Sequence, residues 1–170
     1  MHARMDDMPD DPLREELCHS VKHRATLYYL FYDVLRDDVG EERAAELMKM
    51  AIYRRAVQLG KQYARFAPDD LDGLREAFLG NIPDDGRMFD PEVERADDDG
   101  VDIKFQRCPL REAWQEMGLS DAEVARMCEI AAEVDVGLFQ GAGFAFSADT
   151  WSPTGDGCCR LHIRPSQPTP

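Results

Sequence analysis

The fold is organised around residues 105–162, whose sequence is FQRCPLREAWQEMGLSDAEVARMCEIAAEV followed by DVGLFQGAGFAFSADTWSPTGDGCCRLH. The most specific local signal is the segment LSDAEV, in which Ser120 is placed to cap a helix and Glu123 to reach back to the cap. Such a capping box satisfies two backbone donors that a helix start otherwise leaves unpaired. The sequence therefore predicts a helix that starts here and runs to about Val136.

A shorter helix precedes this one. Pro109 suits the first position of a helix, because proline has no amide hydrogen and a fixed φ. That position makes Cys108 the residue that caps the helix, and Gly118 ends it. On the other side of the capping box, the glycine-rich residues 137–143 are interpreted as a loop that leads into a strand.

Four segments alternate between apolar and polar residues, namely 92–97 (weakly), 101–105, 144–149 and 158–164. Alternation with a period of two is typical of a strand that buries one face. The first two segments are joined by a turn at Gly100, which can supply a positive φ, and they form a predicted antiparallel hairpin. We therefore expect an antiparallel sheet of about four strands.

The N-terminal part of the chain has the pattern of helices. Apolar residues recur at helical spacing in residues 13–36, 41–66 and 70–79, and glycines or Pro68 follow each segment. Helices followed by a hairpin and further helices indicate an α+β fold, in which helices pack on one face of an antiparallel sheet.

The length of 170 residues suits one compact domain. We expect residues 12–164 to form a single α+β domain. Residues 1–11 are polar and acidic and are expected to be a disordered lead-in. Residues 165–170 contain three prolines and are expected to be a flexible tail.

The composition is strongly acidic, with 34 Asp and Glu against 20 Lys and Arg and a net charge of −14. Phosphate backbones and anionic membrane surfaces would be repelled, so we expect neither nucleic acid nor a membrane as partner. No apolar run reaches the roughly 20 residues of a membrane span, and no apolar signal core is found, so a cytoplasmic location is expected. A small molecule is the expected partner, and a homo-oligomer is a candidate assembly.

Cysteines are the main candidates for chemistry. Thiols stay reduced in the cytoplasm, so the five cysteines are interpreted as structural, metal-binding or catalytic rather than as disulfides. Cys108 is the best candidate nucleophile, because the dipole and free amides at a helix N-terminus lower the pKa of a thiol. The alternative, a small buried capping residue, remains open.

Cys128 and Asp135 are seven residues apart, so a single helix would place them on one face, which is otherwise apolar. A carboxylate there must be hydrogen-bonded, paired or protonated, since an isolated buried charge is costly. A carboxyl with a raised pKa often marks a functional site, which favours a functional Asp135. A structural hydrogen bond from Asp135 to a backbone group or an arginine is the alternative.

The last strand supplies the remaining candidate. Its alternation places Cys159 on the apolar side and Cys158 and His162 on the other side. If the apolar side faces the helices, the catalytic candidates converge in one pocket between the sheet and the last two helices. These candidates are Cys108, Cys128, Asp135 and Cys159.

The same residues occur in a series of ordered motifs: Cys108-Pro109-Leu110, Trp114, Gly118-Leu119-Ser120, Cys128, Asp135 and Gly155-Asp156-Gly157-Cys158-Cys159. In this order they resemble the L-2-amino-thiazoline-4-carboxylic acid hydrolase family. That family's pattern is a CPL segment, a tryptophan, a Gly-Leu-Ser helix start, a cysteine, an aspartate and Gly-Asp-x-x-Cys. Its last cysteine maps onto Cys159, so Cys158 is an additional cysteine. The resemblance covers about residues 105–163.

The resemblance implies a hydrolase that adds water at the carbon between the ring nitrogen and sulfur of a thiazoline. The ring opens and gives N-carbamoyl-cysteine. In this hypothesis Cys108 or Cys159 attacks or binds the substrate, and Asp135 is the general base for water. The candidate substrate-binding residues are Trp114, Thr150 and His162, although an ordinary role in the sheet is the preferred interpretation of His162.

A second hypothesis comes from a different class of protein. The same cysteines would be soft-metal ligands in a non-enzymatic module that senses a small molecule or a metal, with zinc or iron as the candidate metal. The sequence itself assigns no cofactor. The metal content of the purified protein distinguishes the two hypotheses.

Overall fold

The computed structural model describes residues 12–166. Its N-terminal part contains three α-helices and two short 3₁₀ helices: α1 (Pro12–Val39), α2 (Glu41–Gly60), a 3₁₀ helix (Lys61–Phe66), α3 (Leu71–Gly80) and a 3₁₀ helix (Asp84–Gly86). These bounds follow the three predicted helices, except that the second continues beyond Gly60 as the tighter 3₁₀ form. The predicted lead-in, residues 1–11, and residues 167–170 of the predicted tail lie outside the described residues.

The C-terminal part contains the sheet and three further helices: β1 (Pro91–Asp97), β2 (Gly100–Phe105), α4 (Pro109–Glu116), α5 (Asp121–Ala131), α6 (Glu133–Ala142), β3 (Ala145–Asp149) and β4 (Arg160–Arg164). The strand order is β1-β2-β4-β3, and all neighbouring strands are antiparallel. The predicted α+β class, with N-terminal helices and a four-stranded antiparallel sheet, is confirmed.

Two apolar cores position the elements. In the first, the buried face of the sheet, which includes Ile103 and Leu161, packs with Phe78 of α3 and Phe139 of α6. The second core joins α1, α2, α4 and α5 around Trp114, whose side chain is fully buried. The Trp114 indole N–H donates to the backbone carbonyl of Ala25 at 2.8 Å, so the buried polar group is satisfied and α4 is fastened to α1.

The capping box at the start of α5 is confirmed. The backbone N–H of Glu123 donates to the Ser120 hydroxyl at 3.4 Å, and the Glu123 carboxylate accepts from the Ser120 backbone N–H at 2.9 Å. Cys108 occupies the N-cap position of α4 and Pro109 follows as its first residue, also as predicted. Both helix starts are therefore determined by short-range chemistry.

Residues 137–143 were predicted to be a loop, and this prediction is wrong, because most of them belong to α6. A β-carbon added to Gly137 would lie 2.7 Å from the backbone oxygen of Tyr53, and one added to Gly141 would lie 2.8 Å from the Cα of Val57. The glycines therefore allow the backbones of α6 and α2 to touch. Gly143, with a φ of 95°, ends the helix.

The helix that begins at the capping box also ends earlier than predicted. It stops at Ala131, and a single residue, Ala132, separates it from α6. Cys128 and Asp135 consequently lie on two successive helices rather than on one. None of the helices within residues 12–166 is long and apolar enough to cross a bilayer.

Candidate active site

A cavity of about 440 Å³ lies between helices α1 to α6 and the end of the sheet at which β2 ends and β4 begins. Its volume is typical of small-molecule sites. Cys108, Cys128, Asp135 and Cys159 all line it, as does Trp114. The expectation that these four catalytic candidates meet in one pocket is therefore correct in its geometry. Most of the remaining wall consists of leucine, isoleucine, valine, alanine and phenylalanine side chains.

Several neighbouring groups favour the anionic form of Cys108. The Cys158 thiol donates a hydrogen bond to its sulfur, which lowers the pKa of Cys108, whereas burial opposes this change. The backbone N–H groups of Arg111 and Leu110 and the positive charge of Arg111 lower the pKa further. Free amides at a helix N-terminus are suited to hold an anion in this way. The geometry therefore favours a Cys108 thiolate.

Arg111 supplies the cationic charge next to this thiol. Its guanidinium Nη1 donates to the backbone oxygen of Gly157 at 3.4 Å. Its Nε is buried and has no hydrogen-bond partner within residues 12–166. The same charge favours the Cys108 thiolate, and at Cys128 it opposes the larger rise in pKa that burial causes. An unpaired buried donor lowers the stability of the fold. The positive charge that Arg111 places beside the thiols is therefore kept despite this loss of stability.

Cys158 and Cys159 form a vicinal pair, with 3.6 Å between their sulfur atoms. Both line the cavity, and Cys158 is buried in the core beside the sheet. The predicted placement of Cys158 on the opposite side from Cys159 is therefore wrong. The regular strand begins at Arg160, so strand alternation does not extend back to this pair. A turn at Gly157, with a φ of 77°, directs both thiols inwards.

The thiols of Cys158 and Cys128 differ from the Cys108 thiol, because their pKa values are raised. Hydrogen bonds to Cys108 and Cys159, together with burial, raise the pKa of Cys158. Burial also raises the pKa of Cys128, which lies on α5. Both are therefore neutral thiols at physiological pH. All five cysteines of the chain are free of disulfide bonds.

Asp135 lies in the first turn of α6, is half-buried and lines the cavity. Burial raises the pKa of Asp135 to about 7. No group within residues 12–166 donates a hydrogen bond or contributes a positive charge to this carboxyl. The structural hydrogen bond considered as the alternative is thus not formed by the described residues.

Two of the three predicted substrate-binding residues lie elsewhere. Thr150 lines a separate cavity of about 160 Å³. His162 lies on the outer face of the sheet, where Nδ1 is 2.9 Å from Asp102 Oδ1 and Nε2 is 3.0 Å from Asp149 Oδ2. This arrangement agrees with the preferred interpretation of His162 as a sheet residue. Trp114 is the member of the set that reaches the large cavity.

Four polar residues of the wall were not found from the sequence. Arg24 of α1, Gln62 of the first 3₁₀ helix, Tyr63 and Asn81 line the cavity. The amide nitrogen of Asn81 donates to the Tyr63 hydroxyl at 2.9 Å. No local pattern marks these residues, because each is an ordinary polar helix or loop position until the tertiary fold brings it to the wall.

The chain matches a family model described as L-2-amino-thiazoline-4-carboxylic acid hydrolase over residues 19–163. The chain belongs to this family. The match begins in α1 and ends in β4, so the family similarity includes the N-terminal helices as well as the motif-bearing half. No curated protein and no solved structure gives a significant match.

The second hypothesis, a metal-binding module, requires a set of metal ligands. Within residues 12–166, no three or more histidine, cysteine, aspartate and glutamate side chains are arranged to hold a metal ion. The described residues therefore offer no defined ligand set for zinc or iron. The cysteines of the cavity differ from one another in the pKa of their thiols, which is lowered for Cys108 and raised for Cys128 and Cys158.

Proposed function

We propose that this protein is a hydrolase that opens a small cyclic amidine, with 2-aminothiazoline-4-carboxylate as the model substrate. The family to which the chain belongs bears the name of this reaction. The product would be N-carbamoyl-cysteine, formed by adding one water and breaking the ring bond between carbon and sulfur.

One observation carries the proposal. A single cavity contains Cys108, whose pKa is lowered, and Asp135, whose pKa is raised to about 7. Environments that push the pKa values of two groups in opposite directions are a mark of a nucleophile and a general acid or base. The reaction uses the thiolate that the surroundings of Cys108 favour and a carboxyl that is near its midpoint at neutral pH.

In the first half of the reaction, the Cys108 thiolate attacks the carbon between the ring nitrogen and the ring sulfur. A bond forms between that carbon and the Cys108 sulfur, and the carbon–ring sulfur bond breaks. The leaving sulfur takes its proton from the protonated Asp135. The result is an isothiourea attached to Cys108, which retains every atom of the substrate.

In the second half, Asp135 is ionised and removes a proton from water as the water oxygen attacks the isothiourea carbon. The bond between this carbon and Cys108 breaks, which releases the urea product and restores the thiolate. Asp135 is left protonated and ready for the next cycle. A carboxyl with a pKa of about 7 suits both steps, because a general acid–base group works best near the ambient pH.

The remaining residues have supporting roles in this proposal. Arg111 and the α4 amides stabilise the Cys108 thiolate, both before attack and as a leaving group. Trp114 and the apolar wall exclude water from the isothiourea before Asp135 delivers it. Cys159, the other candidate nucleophile, lies beside Cys158 and lines the same cavity.

The experiment compares turnover of 2-aminothiazoline-4-carboxylate by the wild type and by Cys108→Ser, Asp135→Asn and Cys159→Ser, with N-carbamoyl-cysteine measured by mass spectrometry. Loss of the nucleophile should abolish turnover, and loss of the acid–base group should lower kcat by about 10²–10⁴-fold. Cys159→Ser should retain activity. Full activity of Cys108→Ser, or a dead Cys159→Ser with an active Cys108→Ser, would overturn the assignment.

A further inference from the structure

The outer face of α1 is apolar and exposed, although α1 is a central element of the second core. The four residues at its middle have exposed fractions of 37%, 47%, 56% and 69%: Leu27, Leu30, Phe31 and Val34. Their spacing of three and four residues places them in one stripe along the helix. Isolated apolar side chains on a surface are ordinary, but a continuous stripe of large ones marks an interaction site.

The same stripe has opposite charges at its two ends. His23 and Arg24 lie one turn before Leu27, and Asp37 and Asp38 lie one turn after Val34, all of them exposed. Within residues 12–166, none of these four side chains forms an ion pair in its own protomer. From the N-terminal to the C-terminal end of α1, this face is therefore basic, then apolar, then acidic.

We propose that α1 is the interface of a homodimer, in which the α1 helices of two copies pack antiparallel about a twofold axis. The axis passes between Leu30 and Phe31, at the centre of the apolar stripe. Twofold symmetry then places each residue opposite a defined counterpart, because a twofold interface uses the same patch on both subunits.

The register that follows is complementary along its whole length. Leu27 lies opposite Val34 of the partner subunit, and Leu30 lies opposite Phe31 of the partner subunit. Arg24 lies opposite Asp37 of the partner subunit. The apolar centre is covered, and each charged end meets the opposite charge.

Charge decides the orientation. In a parallel pair, Arg24 would meet its own copy, and so would Asp37, so like charges would face each other at both ends. Like-charge juxtaposition disfavours an arrangement more strongly than exposed ion pairs favour one. The antiparallel arrangement is therefore selected by both attraction and the avoidance of repulsion, while burial of the apolar stripe supplies most of the affinity.

The partner on this face is a second copy of the chain, because the two ends of the face are complementary to each other. A surface that is basic at one end and acidic at the other, with an apolar centre, matches itself when it is reversed. Arg24 also lines the large cavity, so the interface adjoins the cavity wall.

The first test measures the mass of the full chain in solution by sedimentation equilibrium over a range of concentrations. We expect a dimer for the wild type and a monomer for Phe31→Glu, which places an unpaired charge at the centre of the stripe. Val93→Glu is the matched control, because Val93 is exposed to a similar degree, at 40%, on strand β1. It should remain a dimer, and circular dichroism verifies that all variants are folded.

The second test uses charge reversal to fix the orientation. Arg24→Asp and Asp37→Arg should each weaken the dimer, and the double variant Arg24→Asp/Asp37→Arg should restore it. In a parallel dimer, each single change would only exchange one like-charge pair for another and leave the affinity unchanged. A wild type that is monomeric at every soluble concentration, a dimer that survives Phe31→Glu, or a double variant that is no better than the single variants would overturn the proposal.

Discussion

The Cys158 thiol donates a hydrogen bond to the sulfur of Cys108, and the pKa values of the two thiols move in opposite directions as a result. One sulfur is thus favoured as an anion and the other as its neutral donor. In the family's motif pattern Cys158 is the additional cysteine, directly before Cys159. Cys158 therefore gives this chain a neutral thiol donor beside Cys108.

The first prediction concerns this pair. Cys158→Ala removes the donor and should raise the pKa of Cys108, whereas Cys158→Ser retains a hydroxyl donor and should change the pKa less. The measurement is the rate at which iodoacetamide alkylates Cys108 as a function of pH, followed by peptide mass spectrometry. Cys18→Ala, which alters a cysteine outside the cavity, is the control. An unchanged profile in Cys158→Ala would show that the hydrogen bond does not govern this thiol.

The second prediction concerns Arg111, whose positive charge lowers the pKa of Cys108. Arg111→Met removes the charge, so the Cys108 pKa should rise, kcat at neutral pH should fall and the rising limb of the plot of kcat against pH should move to higher pH. Arg111→Lys retains a charge and should lie between the wild type and Arg111→Met. If Arg111 were only structural, both variants would lose stability without moving the pH profile of alkylation.

The third prediction concerns the loss of folding stability that ionisation of Asp135 causes. Its pKa is about 7 in the folded protein, against about 3.9 for an ordinary aspartate in the unfolded chain. The folded state therefore binds more protons between these values, so the contribution of Asp135 to stability is lost as the pH rises from about 4 to about 7. Above that range the loss is constant.

Asp135→Asn cannot ionise and should lack this loss. The difference in melting temperature between Asp135→Asn and the wild type should accordingly increase in favour of the variant from pH 4 to pH 7, as measured by thermal denaturation at a series of pH values. Greater stability with lower turnover is the expected signature of a residue kept for function. A variant that is less stable than the wild type at pH 8 would instead indicate a structural role.

The fourth prediction concerns the glycines of α6. Gly141→Ala would place a β-carbon 2.8 Å from the Cα of Val57, so α6 and α2 must separate. Overpacking of this kind costs about 1–3 kcal/mol, which urea denaturation can measure. Gly80→Ala is the control, because no atom lies within 4 Å of the β-carbon that it would add. Equal stability of the two variants would contradict the close helix contact.

The structural role of these glycines could not be predicted from the sequence. Gly137 and Gly141 were interpreted as a loop, because glycine is a weak helix former and three occur within seven residues. Their actual role, backbone contact with α2, depends on a partner about eighty residues earlier in the chain. By contrast, the capping box of Ser120 and the cap formed by Cys108 depend on neighbours within a few residues, and both were predicted correctly.

The candidate site likewise has features that could be predicted from the local sequence and features that could not. The prediction that Cys108, Cys128, Asp135 and Cys159 share a cavity is correct, but two of its premises are not. Cys128 and Asp135 lie on successive helices, and the regular strand begins only after Cys159. The inward position of Cys158 could not be predicted, since the chain leaves regular strand geometry before Arg160. Arg24 and Asn81 reach the wall only through the packing of distant elements, for which the sequence contains no local signal.

The most direct test of the central claim is a trapping experiment with Asp135→Asn. The variant lacks the proton donor of the first half, but a thiol with an ordinary pKa of about 8.5 can leave as a thiolate without one. Hydrolysis of the isothiourea still needs the base, so this step should slow more than its formation, and the covalent species should accumulate after 2-aminothiazoline-4-carboxylate is added. Acid quenching, proteolysis and mass spectrometry should find the Cys108 peptide heavier by the mass of one intact substrate molecule, because ring opening on the enzyme loses no atom. An adduct on Cys159 instead, or a wild type that turns over while no adduct forms on Cys108, would contradict the account.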